Sequence, residues 1–265
     1  MDGVLNKEDG TIDSHIQMPK CVLKHFVNEY QSFYYYDINE SDSRRKIKLG
    51  RPKSLNTKKG YYSNKVEHLL QKIIESPLGT EIQYMTSNDF SQPIDIPLDF
   101  RDVSLTYIHS LIARAPHMFS TIEKHSLWLQ FFDDLTETDK NDFAVECVLQ
   151  EAAKNSPFKD YIVTMLVNKT SIPLLLPIGG IYSYGDFVCS PVSPERAIAL
   201  VKKDTKLFDQ LIDGELCKVL LVEKEAVLHR MNLFAIQSEV NHNKQYVVST
   251  SKELLEQYLK ELSLT

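Results

Sequence analysis

The sequence predicts an α+β fold: an N-terminal strand hairpin, a helical middle, and a C-terminal sheet with packed helices. Three observations carry this expectation. Two β-type runs flank a turn-rich joint between residues 33 and 50. Apolar residues recur at helical spacing from about residue 63 to 156, and from Tyr161 the period changes to short aliphatic runs divided by Gly, Pro or Asp. Strands, then helices, then strands, without strict alternation, is the α+β order. The organisation is read as a flexible polar leader over 1–14 and a single α+β domain over 15–265, helical at about 63–156 and sheet-rich at about 157–265.

Each element has its own signal. Pro19 suits the first turn of a short helix with Val22, Leu23, Phe26 and Val27 at helical spacing. "FYYYDI" (33–38) and "KIKLG" (46–50) read as strands joined by "NESDS". Ser63 caps a helix whose stripe is Val66, Leu69, Leu70, Ile73 and Ile74, and Pro77 with Gly79 ends it. "DVSLTYIHSLIARAPHMF" predicts a helix buried along Leu105, Ile108, Ile112 and Ala115 and stopped or kinked at Pro116. Helix is expected to continue through Trp128, and "DKNDFAVECVLQEAAKN" gives a further one through Phe143, Cys147 and Val148. "YIVTMLVNK", "IPLLLPI", "RAIALV" and "CKVLLVE" read as strands buried on at least one face. Residues 223–240 form an amphipathic helix and "QYVVS" (245–249) a strand, while Thr250 with Glu253 offers a capping box for a last helix over 251–262.

Composition narrows the function classes. With 265 residues, 43% hydrophobic and 25% charged, the chain can bury a full core. Its longest apolar stretch, Ile172 to Ile181, is broken by Pro173, Pro177 and two glycines and falls far short of the roughly 20 residues that span a bilayer. No membrane partner is expected, and the start "MDGVLNKEDGTIDSHIQ" lacks a secretory pattern, so a cytoplasmic location is the expectation. Cys21, Cys147, Cys189 and Cys217 are scattered without a CxxC pair and read as reduced, mostly buried thiols. No HExxH and no Cys/His ligand spacing occurs, so neither a metal nor another cofactor is expected.

Charge is uneven. "RRKIKLGRPKSLNTKKGYYSNK" (44–65) holds nine Lys or Arg and no acid; set against a net charge of −6, those nine leave about −15 on the rest. Arg44, Arg45, Lys46, Arg51, Lys53, Lys58 and Lys59, interleaved with Tyr61 and Tyr62, are the expected nucleic-acid or phosphate contacts, weighed against a solvated loop. The pair Gly179–Gly180 raises a phosphate-loop question, but neither Gly-x4-Gly-Lys-Ser/Thr nor GxGxxG is present, so the glycines read as a strand-to-strand turn. Asp186, six residues beyond Gly180, is the nearest carboxylate.

Several short motifs appear together in order. "HIQMPKCVLKHFVNEYQSFYYYD" carries His15, Pro19, Leu23, Phe26 and Asp37; "GYYSNKVEHLLQKIIESP" carries Tyr62, Ser63, Glu67 and Glu75. "ARAP" supplies Arg114 and Pro116, and "PVSP", Asn232 and "QYVVS" follow. In this order and over residues 15 to 250 the chain resembles the mainly bacterial family known as domain of unknown function 4238. Two departures are visible: "LLPIGG" stands where the family has a Thr/Ser-Asp-Asn-Pro turn, and His15 lies four residues before Pro19 rather than three. The resemblance implies candidate catalytic positions at His15, Glu75, Arg114 and Asn232, with Asp186 as a substitute for the lost acidic turn. A His with a Glu supplies general base and orienting carboxylate, Arg holds a phosphate or carboxylate, and Asn orients substrate or water. The expected function is an intracellular bacterial protein binding nucleic acid or a phosphorylated ligand, with nuclease- or hydrolase-like chemistry. The alternative is a non-catalytic module that binds a protein partner, for example in a defence or stress system.

Overall fold

The computed structural model describes residues 13–88, 90, 96–115, 135–213, 216–243 and 245–264. It is an α+β structure. The predicted hairpin is formed by β2 (Phe33–Asp37) and β3 (Ile47–Gly50), antiparallel with Tyr35 opposite Lys48. Its aromatic strand is favoured because bulky rings stack well on a half-buried pleat. A short strand β1 (Asp13–His15) lies at the start of the described chain and pairs antiparallel with β4 (Thr57–Lys59). Helix α1 (Lys20–Leu23) follows Pro19, which occupies the N-cap position.

Helix α2 (Asn64–Leu70) starts where expected, with the Ser63 side chain accepting the Val66 N–H. It does not stop at Pro77. A π-turn over Gln71–Glu75 carries the chain into α3 (Ser76–Ser87), with Pro77 in the first turn of that helix. A proline normally clashes with the carbonyl four residues back. The wider π-turn immediately before Pro77 moves that carbonyl off the regular helical path. Helix α4 (Leu98–Ala113) ends with Arg114 as its C-cap, and α5 is Glu137–Lys154. Pro116 and the expected helix through Trp128 lie outside the described residues, as does most of the leader.

The C-terminal part holds β5 (Tyr161–Asn168), β6 (Leu176–Pro177), β7 (Tyr182–Tyr184), β8 (Phe187–Ser193) and β9 (Arg196–Lys202). Beyond them come α6 (Lys206–Leu211), β10 (Ile212–Asp213), β11 (Leu216–Cys217) and β12 (Leu220–Val222). Helix α7 (Glu225–Ser238), a second π-turn (Glu239–Asn243), β13 (Tyr246–Ser249) and α8 (Lys252–Glu261) complete the described chain. One sheet has five strands in the order β12-β5-β9-β8-β7, with β12 and β5 parallel; the other has four, β3-β2-β13-β6. Strand β13 pairs with β2, so the C-terminal strand completes the N-terminal hairpin.

Three expectations need correction here. "IPLLLPI" is a strand only at Leu176–Pro177, because its two prolines cannot donate to a ladder. Strand β8 runs through "FVCSPVS", which Pro191 concealed; the register shifts between Pro191 and Ser193, a bulge that accommodates the missing N–H. The last helix is capped by Ser251, whose hydroxyl accepts the Leu254 N–H, and not by Thr250.

One apolar cluster draws together Met18, Leu23, Phe33, Ile74, Leu111, Met165, Ile198 and Val248, so residues from the hairpin, the helices and both sheets share it. Each such fully buried aliphatic or aromatic side chain contributes about 1.5–3 kcal/mol from apolar burial alone.

Candidate functional site

Within this packing lies a polar neighbourhood built around Arg114. The arginine is only 1% exposed and folds back along its own helix, its Nε donating to the Ser110 carbonyl and its Nη2 to the Ser110 hydroxyl, both at 3.4 Å. Taking a guanidinium out of water costs several kcal/mol unless polar and charged groups surround it. Here its positive field reaches Cys21 on α1, Tyr62 before α2, Glu67 on α2 and Tyr107 on α4, in each case favouring the ionised form against burial.

Glu75 approaches the same groups from the π-turn. It disfavours ionisation of both Cys21 and Glu67. Burial first, and Glu75 second, push the Cys21 thiol up from 9.0 to about 12. Burial likewise raises the Glu67 carboxyl, although a hydrogen bond from Ser14 and the Arg114 charge pull it back. Oε1 of Glu67 is buried with no hydrogen-bond partner. The Ser14 hydroxyl also accepts the Tyr62 N–H at 3.3 Å, and the Tyr62 hydroxyl donates to the Ile16 carbonyl at 3.0 Å. Strand β1 thereby fastens the start of α2 beside Arg114.

Glu75 and Cys21 open onto a recess of about 250 Å³ between α1 and the π-turn, with Lys20, Lys24, Gln71 and Ser76 around it. Of the sequence-predicted positions, Glu75 and Arg114 are therefore brought into one neighbourhood. His15 is half-buried on β1 beside Ser14, opposite Thr57. Asn232 lies elsewhere: its Oδ1 accepts the Leu175 N–H at 2.9 Å, and its Nδ2 donates to the Pro173 carbonyl at 2.9 Å and the Tyr258 hydroxyl at 3.2 Å. That set clamps α7 to the chain before β6 and to α8. Asp186 is exposed in the two-residue turn between β7 and β8, where its carbonyl accepts the Lys202 N–H.

The basic island is dispersed over several elements. Lys58 pairs with Glu137 at 2.6 Å, Lys65 with Glu146 at 3.1 Å, Arg45 with Asp42 at 3.6 Å, and Lys48 bridges Asp37 and Glu40. Lys46 donates to the Leu264 carbonyl and, with Arg44, borders a second hollow of about 450 Å³ shared with Lys252, Glu256 and Lys260. Arg51, Lys53 and Lys59 are exposed. Acids just before the segment thus offset two of its nine cations, and the distant Glu137 and Glu146 offset two more.

A separate cleft of about 710 Å³ is bordered by the C-terminal end of α4, by β7 and β8, and by α7 with its π-turn. Gly179 of the glycine pair lines it. The Gly180 N–H closes a turn on the Pro177 carbonyl, carrying the chain from the four-stranded sheet into the five-stranded one, and the Gly179 N–H donates to buried Glu239. Gly180 has φ +78°, and a Cβ there would stand 2.5 Å from Cδ1 of Leu111. Gln17 lines this cleft, wholly buried, and neither its Oε1 nor its Nε2 has a hydrogen-bond partner. Each buried polar atom left unpaired costs about 1–3 kcal/mol.

Sequence reading named Glu67 only as a motif residue and overlooked Gln17. Glu67 was legible as a carboxyl two turns before Glu75 on the same helical run. Gln17 gave no signal, since a lone glutamine just after a polar leader is ordinary until its burial is known. Among the described residues, no group of three or more His, Cys, Asp or Glu is arranged to hold a metal ion. No protein-family model matches the sequence, and no curated protein or solved structure shows significant similarity to it.

Proposed function

We propose that the chain binds a phosphorylated small ligand in the recess between α1 and the π-turn, and that its chemistry is hydrolytic. One observation carries the reading: Glu75 lines that recess together with Lys20 and Lys24. Lys20 and Lys24 stand one helical turn apart at its edge and supply point charges for phosphate oxygens. Glu75 is the group placed to take a proton from an attacking water. Cys21, held as a thiol up to about pH 12, is not the nucleophile. The motif resemblance to domain of unknown function 4238 supports the same residues, since Glu75 and Arg114 both stand on shared motifs and His15 adjoins Ser14.

Nucleic acid along the 44–65 island has less behind it, because Arg45, Lys48, Lys58 and Lys65 are each paired with an acid. A protein-binding module also has less. Among the described residues the most exposed large apolar side chains, Tyr30, Leu49, Leu98 and Phe234, come from four separate segments of the chain.

The test begins with inorganic phosphate and a panel of phosphomonoesters, phosphodiesters and nucleotides, following phosphate release and protection of Lys20 and Lys24 from acetylation. Glu75→Gln should lower turnover by about 10²-fold at unchanged thermal midpoint, and the double variant Lys20→Ala, Lys24→Ala should raise KM. Turnover indifferent to Glu75→Gln, or a panel that neither reacts nor protects the lysines, overturns the reading.

A further inference from the structure

We infer that the 710 Å³ cleft beside the glycine turn is a second binding site, for an uncharged nucleobase or nucleoside. Its size lies inside the range of small-molecule sites, roughly 300–1,000 Å³. The evidence for a ligand is Gln17. Gln17 is 0% exposed and lines the cleft, and both the donor and the acceptor of its carboxamide are unpaired. Buried amides are normally paired, so an unpaired one on a residue at the cleft wall points to a partner taken up there when the side chain turns toward the space.

The chemistry of the cleft selects the partner. A carboxamide offers an acceptor and a donor side by side in one plane, and its complement is an adjacent donor and acceptor on a flat edge. Nucleobases carry that edge, and Gln pairs with adenine in this bidentate manner. Phe158 and Phe234 add aromatic surface from two different elements. Both rings are held in place: Phe158 stacks on His109 with centroids 5.8 Å apart, and Phe234 meets Tyr184 edge-on at 5.4 Å. Base–aromatic contact of this kind tolerates any base. Among the described residues lining the cleft there is no Lys, Arg, Asp or Glu. A phosphate would find no counter-charge there, which separates this site from the lysine-edged recess.

The experiment is calorimetric titration of the whole chain with adenosine, guanosine, cytidine and uridine, each to about 1 mM. At least one should bind. Gln17→Met, which keeps length and removes both hydrogen-bonding atoms, should weaken it about tenfold or more. Ser183→Trp, at an exposed position on the rim, should block entry, and Phe234→Ala should weaken binding through loss of ring contact. These two rim variants keep the proposal testable if Gln17→Met fails to fold. Lys20→Ala with Lys24→Ala should leave nucleoside affinity unchanged. Absence of binding by all four nucleosides, binding indifferent to Gln17→Met and to both rim variants, or a loss confined to the lysine variant each overturns the assignment.

Discussion

The backbone N–H of Gly179 donates to Oε2 of Glu239 across 2.9 Å, and this bond fixes the glycine turn to the end of α7. Oε1 of the same buried carboxylate accepts the Gln245 N–H at 3.3 Å. Glu239→Ala leaves the buried Gly179 N–H and the half-buried Gln245 N–H without this acceptor and should destabilise the fold by about 2–4 kcal/mol. Glu239→Gln keeps one acceptor and should fall between. Urea midpoints at unchanged m-value measure both; a Glu239→Ala variant as stable as the parent would remove this role.

Gly180 and Gly185 separate conformational strain from crowding. Both have positive φ, +78° and +58°, but a Cβ on Gly180 meets Leu111 and Met18 whereas one on Gly185 meets nothing within 4 Å. Gly185→Ala should therefore cost only the left-handed penalty, about 1–2 kcal/mol. Gly180→Ala adds overpacking of roughly 1–3 kcal/mol and should narrow the cleft. Equal thermal midpoints for the two variants would contradict the close approach of Leu111.

Asn232 should behave as a clamp. Its amide satisfies Leu175, Pro173 and the Tyr258 hydroxyl, so Asn232→Ala should lower stability by about 2–4 kcal/mol. Turnover per folded molecule should be unchanged. A large fall in turnover with normal stability would instead return Asn232 to the chemistry.

How far the chain could be read in advance varies by element, and the reasons are physical. The β2–β3 hairpin, α2, α5, β5, β9 and β13 follow local periodicity, which survives in one dimension. Pro77 and Pro191 misled because a π-turn and a bulge absorb a proline's missing donor, and neither has a residue signature of its own. Charges at 44–65 looked unopposed because Glu137 and Glu146, which offset Lys58 and Lys65, are far along the sequence. Glu75 and Arg114 were nameable from motifs, but Gln17 became informative only once the fold left its amide buried and unpaired.

Glu67 sets a pH dependence whose sign follows from burial. Burial raises its folded pKa above the ordinary 4.5, so between the two the folded state holds the extra proton. Stability attributable to this group is greatest below about pH 4.5 and falls as pH rises through the folded value. Glu67→Gln removes the ionisation and should raise stability at pH 7, with the gain vanishing below pH 4.5. Denaturation at pH 4, 5.5 and 7 checks this; a gain independent of pH would assign the effect to packing.

Cys21 reports on Glu75 without any need for substrate. Burial lifts its thiol from an ordinary 9.0 to about 12, so alkylation by iodoacetamide at pH 8 should run about a thousandfold slower than for the unfolded chain. The Glu75 charge disfavours the thiolate, so Glu75→Gln should lower this pKa and speed alkylation. Lys24 favours the thiolate, so Lys24→Met should slow it. Peptide mass spectrometry following Cys21, with Cys217 as internal reference, separates the two directions. Identical Cys21 rates in all three proteins would mean that neither charge bears on the recess, and the proposed catalytic role of Glu75 would lose its geometric basis.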